Sequence, residues 1–224
     1  MSDSRRTFDE QLSDVRGDVV KLAIRTCEQV GAATQALLDA DLSIVEQIYV
    51  VRNEIEERVV QLEQRVYQLF ALQQPMASDL RAMLAVLRIL HEIELTAGLM
   101  RNVARATRRI YPREAPPRIR GIIERMGAQA SVQMHLAIDA FADNDDAVAS
   151  ALPDMDDVMD DLQKELFRAI FSGFSGDEVD ESALQMAVQL AFVGRDYERA
   201  ADHAVMIGRW VAFTVTGKLP GDAE

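Results

Sequence analysis

The chain has 224 residues, with 11 glycines and 6 prolines, which is enough for one large domain or two small ones and too ordered in composition for a disordered chain. Its net charge of −13 argues against a nucleic-acid binder, which usually presents a basic surface, and favours cations or basic partners. The single cysteine, Cys27, cannot form an internal disulfide and indicates a reducing compartment. A polar N-terminus and the lack of a long apolar run predict a cytoplasmic protein without a signal peptide or a membrane span.

Apolar residues recur at helical spacing along nearly the whole chain. Prolines, glycines and aspartates divide the pattern, because proline stops a helix and aspartate caps one. Pro112, Pro116 and Pro117 mark the clearest linker, which predicts one unit over residues 1–111 and a second over 112–224. Six helices are predicted, with approximate bounds 8–38, 41–72, 78–110, 119–142, 153–172 and 180–216.

The two halves resemble each other at an offset of 104 residues. Glu94 and Glu198 are related in this way, as are Glu56 and Asp160, and Asp41 and Asp145. A repeat of this length is one supersecondary unit present twice. Because short connections join antiparallel helices, we predict an all-α protein made of two tandem, pseudo-symmetric three-helix bundles with six long antiparallel helices.

Acidic pairs occur at a spacing of four residues in the second repeat. Asp156 and Asp160 lie on the fifth predicted helix, and Glu198 and Asp202 lie on the last one. On a helical wheel, the last pair falls on a stripe of small and apolar residues, where a carboxylate needs a partner or a metal. The acidic run of the fifth helix taken alone is more typical of a solvated face, so a shared metal site and a solvated surface both stay open.

Carboxylate oxygens suit cations such as magnesium, manganese or iron. No histidine follows a glutamate by three residues, which argues against a ferritin-like di-iron enzyme. His203 is predicted to lie on a helix surface, with a peripheral metal ligand as the alternative. We also found no phosphate-binding loop, no nucleotide fingerprint and no nucleophile motif.

Three further features have structural interpretations. Cys27 is predicted to be a small buried hydrophobe. Trp210 is expected in the core or at a dimer contact. Six arginines between Arg105 and Arg120 are predicted to form a solvated linker, with an anionic lipid surface or an acidic partner as the alternative.

Two motifs resemble those of the PhoU family of phosphate-transport accessory and signalling proteins. The segment 71–81, ALQQPMASDLR, is similar to the family's junction between its second and third helices. The segment 197–204, YERAADHA, is similar to its last-helix motif, and the tail 214–220, TVTGKLP, is similar to that of actinobacterial members. The resemblance extends over nearly the whole chain.

The resemblance implies two symmetry-related three-helix bundles, a homodimer, and metal bound by carboxylates. It also implies binding to the ATPase of a phosphate ABC transporter and to a phosphate sensor kinase, which restrains the response to phosphate starvation. The metal would be iron, manganese, magnesium or zinc. The residues that match the metal-binding pattern are Asp156, Asp160, Glu198, Asp202, Glu94 and Glu56.

The first repeat departs from the family's pattern. Gly98 stands where an aspartate is expected, and Arg52 stands where the other repeat has Asp156. We therefore expect a weak or empty first-repeat site, with Arg52 paired to Glu56 one helical turn away.

The leading hypothesis is a cytoplasmic regulator without catalytic residues, which acts by binding its partners. Metal would hold the second bundle's helices together by neutralising carboxylates that otherwise repel each other. Two alternatives remain at this point: a metal-dependent enzyme that uses the same cluster, and a metal-free helical scaffold whose acids pair with Arg195, Arg199 and Arg209.

Overall fold

A computed structural model describes residues 2–72, 77–174 and 180–221, and every regular element in those ranges is helical. A short 3-10 helix spans Pro153–Met155. The α-helices are α1 (Ser2–Leu38), α2 (Leu42–Leu72), α3 (Ala77–Ile110), α4 (Pro117–Asp143), α5 (Asp146–Ala151), α6 (Asp156–Gly173) and α7 (Glu181–Thr216). Six of these helices are long, which confirms the predicted all-α class. The expected helix stop at Gln74-Pro75 and the expected loop at 175–177 lie outside the described residues.

The helix starts follow the 104-residue offset. α2 begins at Leu42 and α5 at Asp146, while α3 begins at Ala77 and α7 at Glu181. The caps are equivalent as well. The Asp41 carboxylate accepts from the backbone N–H of Ser43 at 2.7 Å, and the Asp145 carboxylate accepts from that of Ala147 at 2.9 Å. Each cap satisfies amide groups that the first helical turn leaves without a partner.

The counterpart of α2 in the second repeat is broken. The predicted fifth helix starts near Pro153, whereas the structure has the short helix α5, the 3-10 helix and then α6. Pro153 has no N–H to donate and its ring fits only a first turn, so it ends α5 and opens the 3-10 helix. The sequence prediction missed α5.

The two repeats pack as one body around α3 and α7, which run antiparallel in the centre. Met100 near the end of α3 shares a buried apolar cluster with Leu190 near the start of α7. Ile89 in the first half of α3 shares the second cluster with Ile207 in the second half of α7. Because each cluster draws on both repeats, the proposed division at residue 111 is a boundary in sequence and not one between separate cores.

Close helix contacts depend on glycine at two places in the second repeat. A Cβ atom at Gly127 of α4 would collide with the Thr34 side chain of α1. The Thr34 hydroxyl is in turn 2.7 Å from the Tyr197 hydroxyl of α7. A Cβ atom at Gly194 would collide with the buried Leu166 side chain, so this glycine lets α6 lie close against α7.

Candidate metal centre

The four predicted carboxylates of the second repeat lie on two helices that pack against each other. Asp156 is the first residue of α6 and Asp160 follows one turn later, while Glu198 and Asp202 are one turn apart on α7. Leu166 of α6 lies against Gly194 of α7. Since the helices run antiparallel, this contact sets the beginning of α6 beside the 198–202 turn of α7.

These four carboxylates share one electrostatic environment. Burial raises the pKa of Asp156, and the charges of Asp202 and Asp160 raise it further. Burial also raises the pKa of Glu198; Asp202, Asp160 and Asp156 act in the same direction, and Arg195 opposes them. Each of the two half-buried carboxyl groups therefore experiences the charges of the other three residues, as predicted for a shared cluster.

The inward orientation expected for the α7 pair is right for one residue and wrong for the other. The Glu198 side chain is 17% exposed, whereas Asp202 is an exposed residue at the rim, like Asp160 on α6. A helical wheel ranks directions, but the position of α6 decides how much of the stripe is covered. Here α6 covers Glu198 and leaves Asp202 at its edge.

Two buried carboxylate oxygens in this cluster lack a hydrogen-bond partner. They are Oδ1 of Asp156 and Oε2 of Glu198. The Nη1 atom of Arg195 lies 3.5 Å from the latter oxygen without making a hydrogen bond, because the arginine extends into solvent. A buried acceptor without a donor is costly and suits a cation. The donor set therefore fits a hard or borderline metal ion such as magnesium, manganese or iron.

The carboxylates do not converge on one point. Across the part of the chain that the structure describes, no three His, Cys, Asp or Glu side chains form a group that could hold a metal ion. Mutual repulsion explains this spacing, because like charges separate when no positive charge lies between them. The cluster is thus an electrostatic set on two helices, and a cation would have to draw its members together.

The equivalent region of the first repeat is organised around an arginine. The Arg52 guanidinium donates to the Glu56 carboxylate, which confirms the predicted pair. Burial lowers the pKa of Arg52, the charge of Arg101 lowers it further, and Glu94 on α3 opposes this shift. Glu56 and Glu94, predicted as metal ligands, therefore lie beside two arginines. A Cβ atom at Gly98 would meet no atom within 4 Å.

His203 is buried, so the prediction that it lies on the helix surface is wrong. Its Nδ1 atom is 2.6 Å from Oε2 of Glu92 on α3, and each side chain is 10% exposed. The helical wheel missed this contact because it considered one helix at a time. Glu92 and His203 are not related by the repeat offset, so no sequence signal pointed to the pair.

The arginine-rich segment makes mostly ion pairs at the surface. Arg108 pairs with Glu46 of α2, and its guanidinium also lies over the Tyr49 ring at 4.7 Å. Arg113 pairs with Asp180, the N-cap of α7, at 3.0 Å. These contacts favour the interpretation as a solvated linker that offsets the acidic body.

The structure also locates Cys27 and Trp210. Cys27 is 1% exposed, and burial raises the pKa of its thiol to about 12, as expected for a structural residue. Trp210 is half-buried, with the Arg88 guanidinium 5.6 Å from its ring and Phe213 edge-on at 5.6 Å. It packs within one chain.

One face of α7 presents a row of apolar side chains to solvent. Leu184, Val188 and Phe192 follow each other at four-residue spacing and are 53%, 51% and 59% exposed. We call these three residues the α7 stripe. The exposed residues Arg195 and Arg199 continue the same face. Apolar side chains grouped in this way are typical of interaction surfaces.

Among the described residues, the helices are too polar or too short in their apolar stretches for any of them to cross a membrane.

Fold and site together define a class of protein, the double three-helix bundle with paired carboxylates at equivalent positions of its repeats. The family model described as PhoU domain matches residues 19–107 and again residues 123–211. These two matches are 104 residues apart, the offset seen in the sequence. The chain belongs to the PhoU family.

Similar proteins extend over nearly the same length. The phosphate-specific transport system accessory protein PhoU homolog 1 of Mycobacterium tuberculosis is 32% identical, with 98% of each chain covered. Homolog 2 of the same organism is 34% identical over 96% of this chain and 100% of its own. The crystal structure of PhoU from Pseudomonas aeruginosa superposes with a TM-score of 0.87 at 26% identity, covering 94% of this chain and 100% of that one. PhoU from Streptococcus pneumoniae shares the fold, with a TM-score of 0.85 at 21% identity over 95% of this chain and 99% of its own.

Proposed function

We propose that this protein is a cytoplasmic regulator of phosphate uptake that acts by binding other proteins and performs no chemistry itself. The observation that carries this proposal is the similarity over nearly the whole chain to proteins named as accessory proteins of the phosphate-specific transport system. Its partners would be the ATPase of that transporter and a phosphate sensor kinase. Binding would lower transport and bias the kinase against signalling starvation when phosphate is plentiful.

The α7 stripe is the surface we assign to the transporter ATPase. Three apolar side chains in one row can fill a groove, and Arg195 and Arg199 beside them favour an acidic rim on the partner. The remaining surface of this acidic chain would repel such a rim. The stripe is therefore the place where apolar contact and charge complementarity coincide.

Metal binding in the second repeat is the other part of this proposal. Asp156, Asp160, Glu198 and Asp202 would hold the ion, whose charge would neutralise the carboxylates and tie α6 to α7. The orphaned oxygens of Asp156 and Glu198 support this assignment, because they are buried acceptors that face no donor. The ion would be structural, and its loss would loosen the contact between the two helices.

The binding proposal is tested by capture experiments with purified ATPase and the cytoplasmic part of the sensor kinase. Wild-type protein is expected to retain both partners in phosphate-rich buffer. Phe192→Glu, which places a negative charge in the α7 stripe, is expected to lose the ATPase. Val132→Glu is the matched control, since Val132 is an apolar residue of α4 with 48% exposure. Equal binding by all three proteins would refute the assigned surface, and no binding by wild type would refute the partner.

The metal proposal is tested by elemental analysis and thermal unfolding of freshly purified protein. Manganese or iron is expected to raise the Tm of wild type, and Glu198→Ala combined with Asp202→Ala is expected to abolish both the metal content and this rise. A wild-type protein without metal would favour the metal-free scaffold. Phosphatase or oxidase activity that depends on the four carboxylates would favour the enzyme instead. Light scattering on the same samples tests the proposed homodimer.

A further inference from the structure

The two repeats carry opposite charge balances at equivalent positions. Arg52 corresponds to Asp156, and Gly98 corresponds to Asp202, each at the 104-residue offset. Glu56 and Glu94 correspond to Asp160 and Glu198 and keep their negative charge in both repeats. A third difference is Arg101, whose counterpart is Val205. Around the two carboxylates of the first repeat there are thus two arginines, whereas the second repeat has four carboxylates and no arginine at these positions.

The side chain of Arg52 occupies the space between the two acidic helices. It is 17% exposed and pairs with Glu56 on its own helix, α2. It also interacts favourably with Glu94 on α3 and unfavourably with Arg101. An arginine that is this well covered by protein requires carboxylate partners, because burying an unpaired guanidinium is costly. Glu56 and Glu94 provide those charges from two different helices.

We propose that Arg52 is the built-in cation of the first repeat: its guanidinium ties α2 to α3 where a metal ion ties α6 to α7 in the second repeat. Arg52 then determines that the chain takes up metal in only one of its two repeats. The second repeat responds to metal supply, whereas the first stays closed whether or not metal is present. The metal part of this inference rests on the proposed function, but the role of Arg52 in holding the first repeat does not.

The open space beside Gly98 indicates that the exchange of cation is reversible by mutation. A side chain built at this position meets no atom within 4 Å, so an aspartate fits without moving a neighbour. Arg52→Asp combined with Gly98→Asp would set four carboxylates at positions 52, 56, 94 and 98. That set repeats the spacing of Asp156, Asp160, Glu198 and Asp202, and oxygen ligands in this number suit a divalent cation.

The first experiment measures the role of Arg52 in protein stripped of metal with a chelator. Arg52→Met keeps most of the aliphatic stem and removes the charge, which leaves Glu56 and Glu94 uncompensated. We expect its Tm to fall by about 3–6 °C, since an unpaired, partly buried charge is destabilising. Arg52→Lys, which keeps a cation, is expected to recover most of this loss. A Tm of Arg52→Met within error of wild type in chelator would overturn the proposal.

The second experiment asks whether a new metal site appears. With added Mn²⁺, the Arg52→Asp, Gly98→Asp variant is expected to bind more manganese per chain than wild type, roughly doubling its content. Its Tm in chelator should lie below that of wild type and rise further on metal addition. Arg25→Asp with Gly31→Asp is the matched control, because it makes the same charge change at an exposed arginine and an open helical glycine of α1.

The outcomes of the two experiments separate the two proposals. A double variant that does not fold in either buffer, or that folds without additional manganese, overturns the inference. Equal manganese uptake by the α1 control also overturns it, because nonspecific attraction to added acids would then be sufficient. If wild type binds no manganese, the metal part of the proposed function fails, while the chelator experiment still decides the role of Arg52.

Discussion

The Nδ1 atom of His203 lies 2.6 Å from the Glu92 carboxylate, so a buried polar contact joins the two repeats between α7 and α3. The residue equivalent to Glu92 in the second repeat is Asp196, which hydrogen-bonds Asn102 of α3. Two acids related by the repeat offset therefore each find a polar partner on the opposite central helix. The α3–α7 interface is apolar along most of its length, and these contacts fix how the helices align.

Replacing His203 is expected to destabilise the whole fold. His203→Ala leaves the 10%-exposed Glu92 carboxylate without this partner, at a cost of about 2–3 kcal/mol. For a chain of this size, the Tm should fall by about 4–12 °C. His135→Ala is the control, since His135 is exposed and bonds only within its own helix, to Ser131.

A double replacement distinguishes a lost hydrogen bond from lost packing. Glu92→Leu with His203→Leu removes both polar groups and should cost less than His203→Ala alone. If the double variant is instead less stable than His203→Ala, the pair contributes more than mutual satisfaction, and the argument from burial is wrong.

Asp196 gives the protein a defined pH dependence. Burial raises the pKa of this carboxyl from 3.8 to about 6, while the hydrogen bond from Asn102 and the charges of Arg199 and Arg105 oppose the shift. Because the folded state binds this proton more tightly, the contribution to stability is present below the unfolded pKa and is lost as pH rises through about 6. Asp196→Asn is expected to flatten the Tm profile over this interval, as thermal scans from pH 4 to pH 8 would show. An unchanged slope would contradict the assignment.

The metal-free carboxylate cluster is expected to act in the same direction. Burial and neighbouring negative charges raise the pKa of Asp156 and of Glu198, so in chelator this region loses stability as the pH rises above their unfolded values. Asp156→Asn with Glu198→Gln removes two of the four negative charges and should raise the Tm of metal-free protein at pH 7.5. The same variant should lose the gain that Mn²⁺ confers on wild type. A lower Tm in chelator would show that the cluster is not repulsive.

The contact between α6 and α7 is expected to tolerate no additional methyl group at Gly194. Gly194→Ala drives its Cβ atom into the buried Leu166 side chain, which we expect to cost about 1–3 kcal/mol despite the better helix propensity of alanine. Gly31→Ala is the control. It lies on an exposed helix face with nothing within 4 Å, and it should stabilise the protein by about 1 kcal/mol. Urea unfolding measures both, and equal effects would contradict the close packing at Gly194.

Much of the fold follows from local sequence. Helical periodicity, caps such as Asp41 and the proline-rich linker are written in residues that are close together in the chain, and their positions agree with the helix bounds within a few residues. The 104-residue offset likewise predicted that equivalent elements would recur. It did not predict the break at Pro153, because one proline near a helix start is compatible with either a first turn or an interruption.

The sequence by itself determined the helices, the repeat and the pairing of Arg52 with Glu56, since each depends on spacing within one element. Only the tertiary structure decided which side of α7 is covered. That coverage buries Glu198, leaves Asp202 at the rim and brings His203 to Glu92. The physical reason is that helical periodicity fixes the direction of a side chain relative to its own axis, whereas burial depends on where the neighbouring helix lies. That position is set by contacts between residues far apart in the chain, such as Gly194 with Leu166.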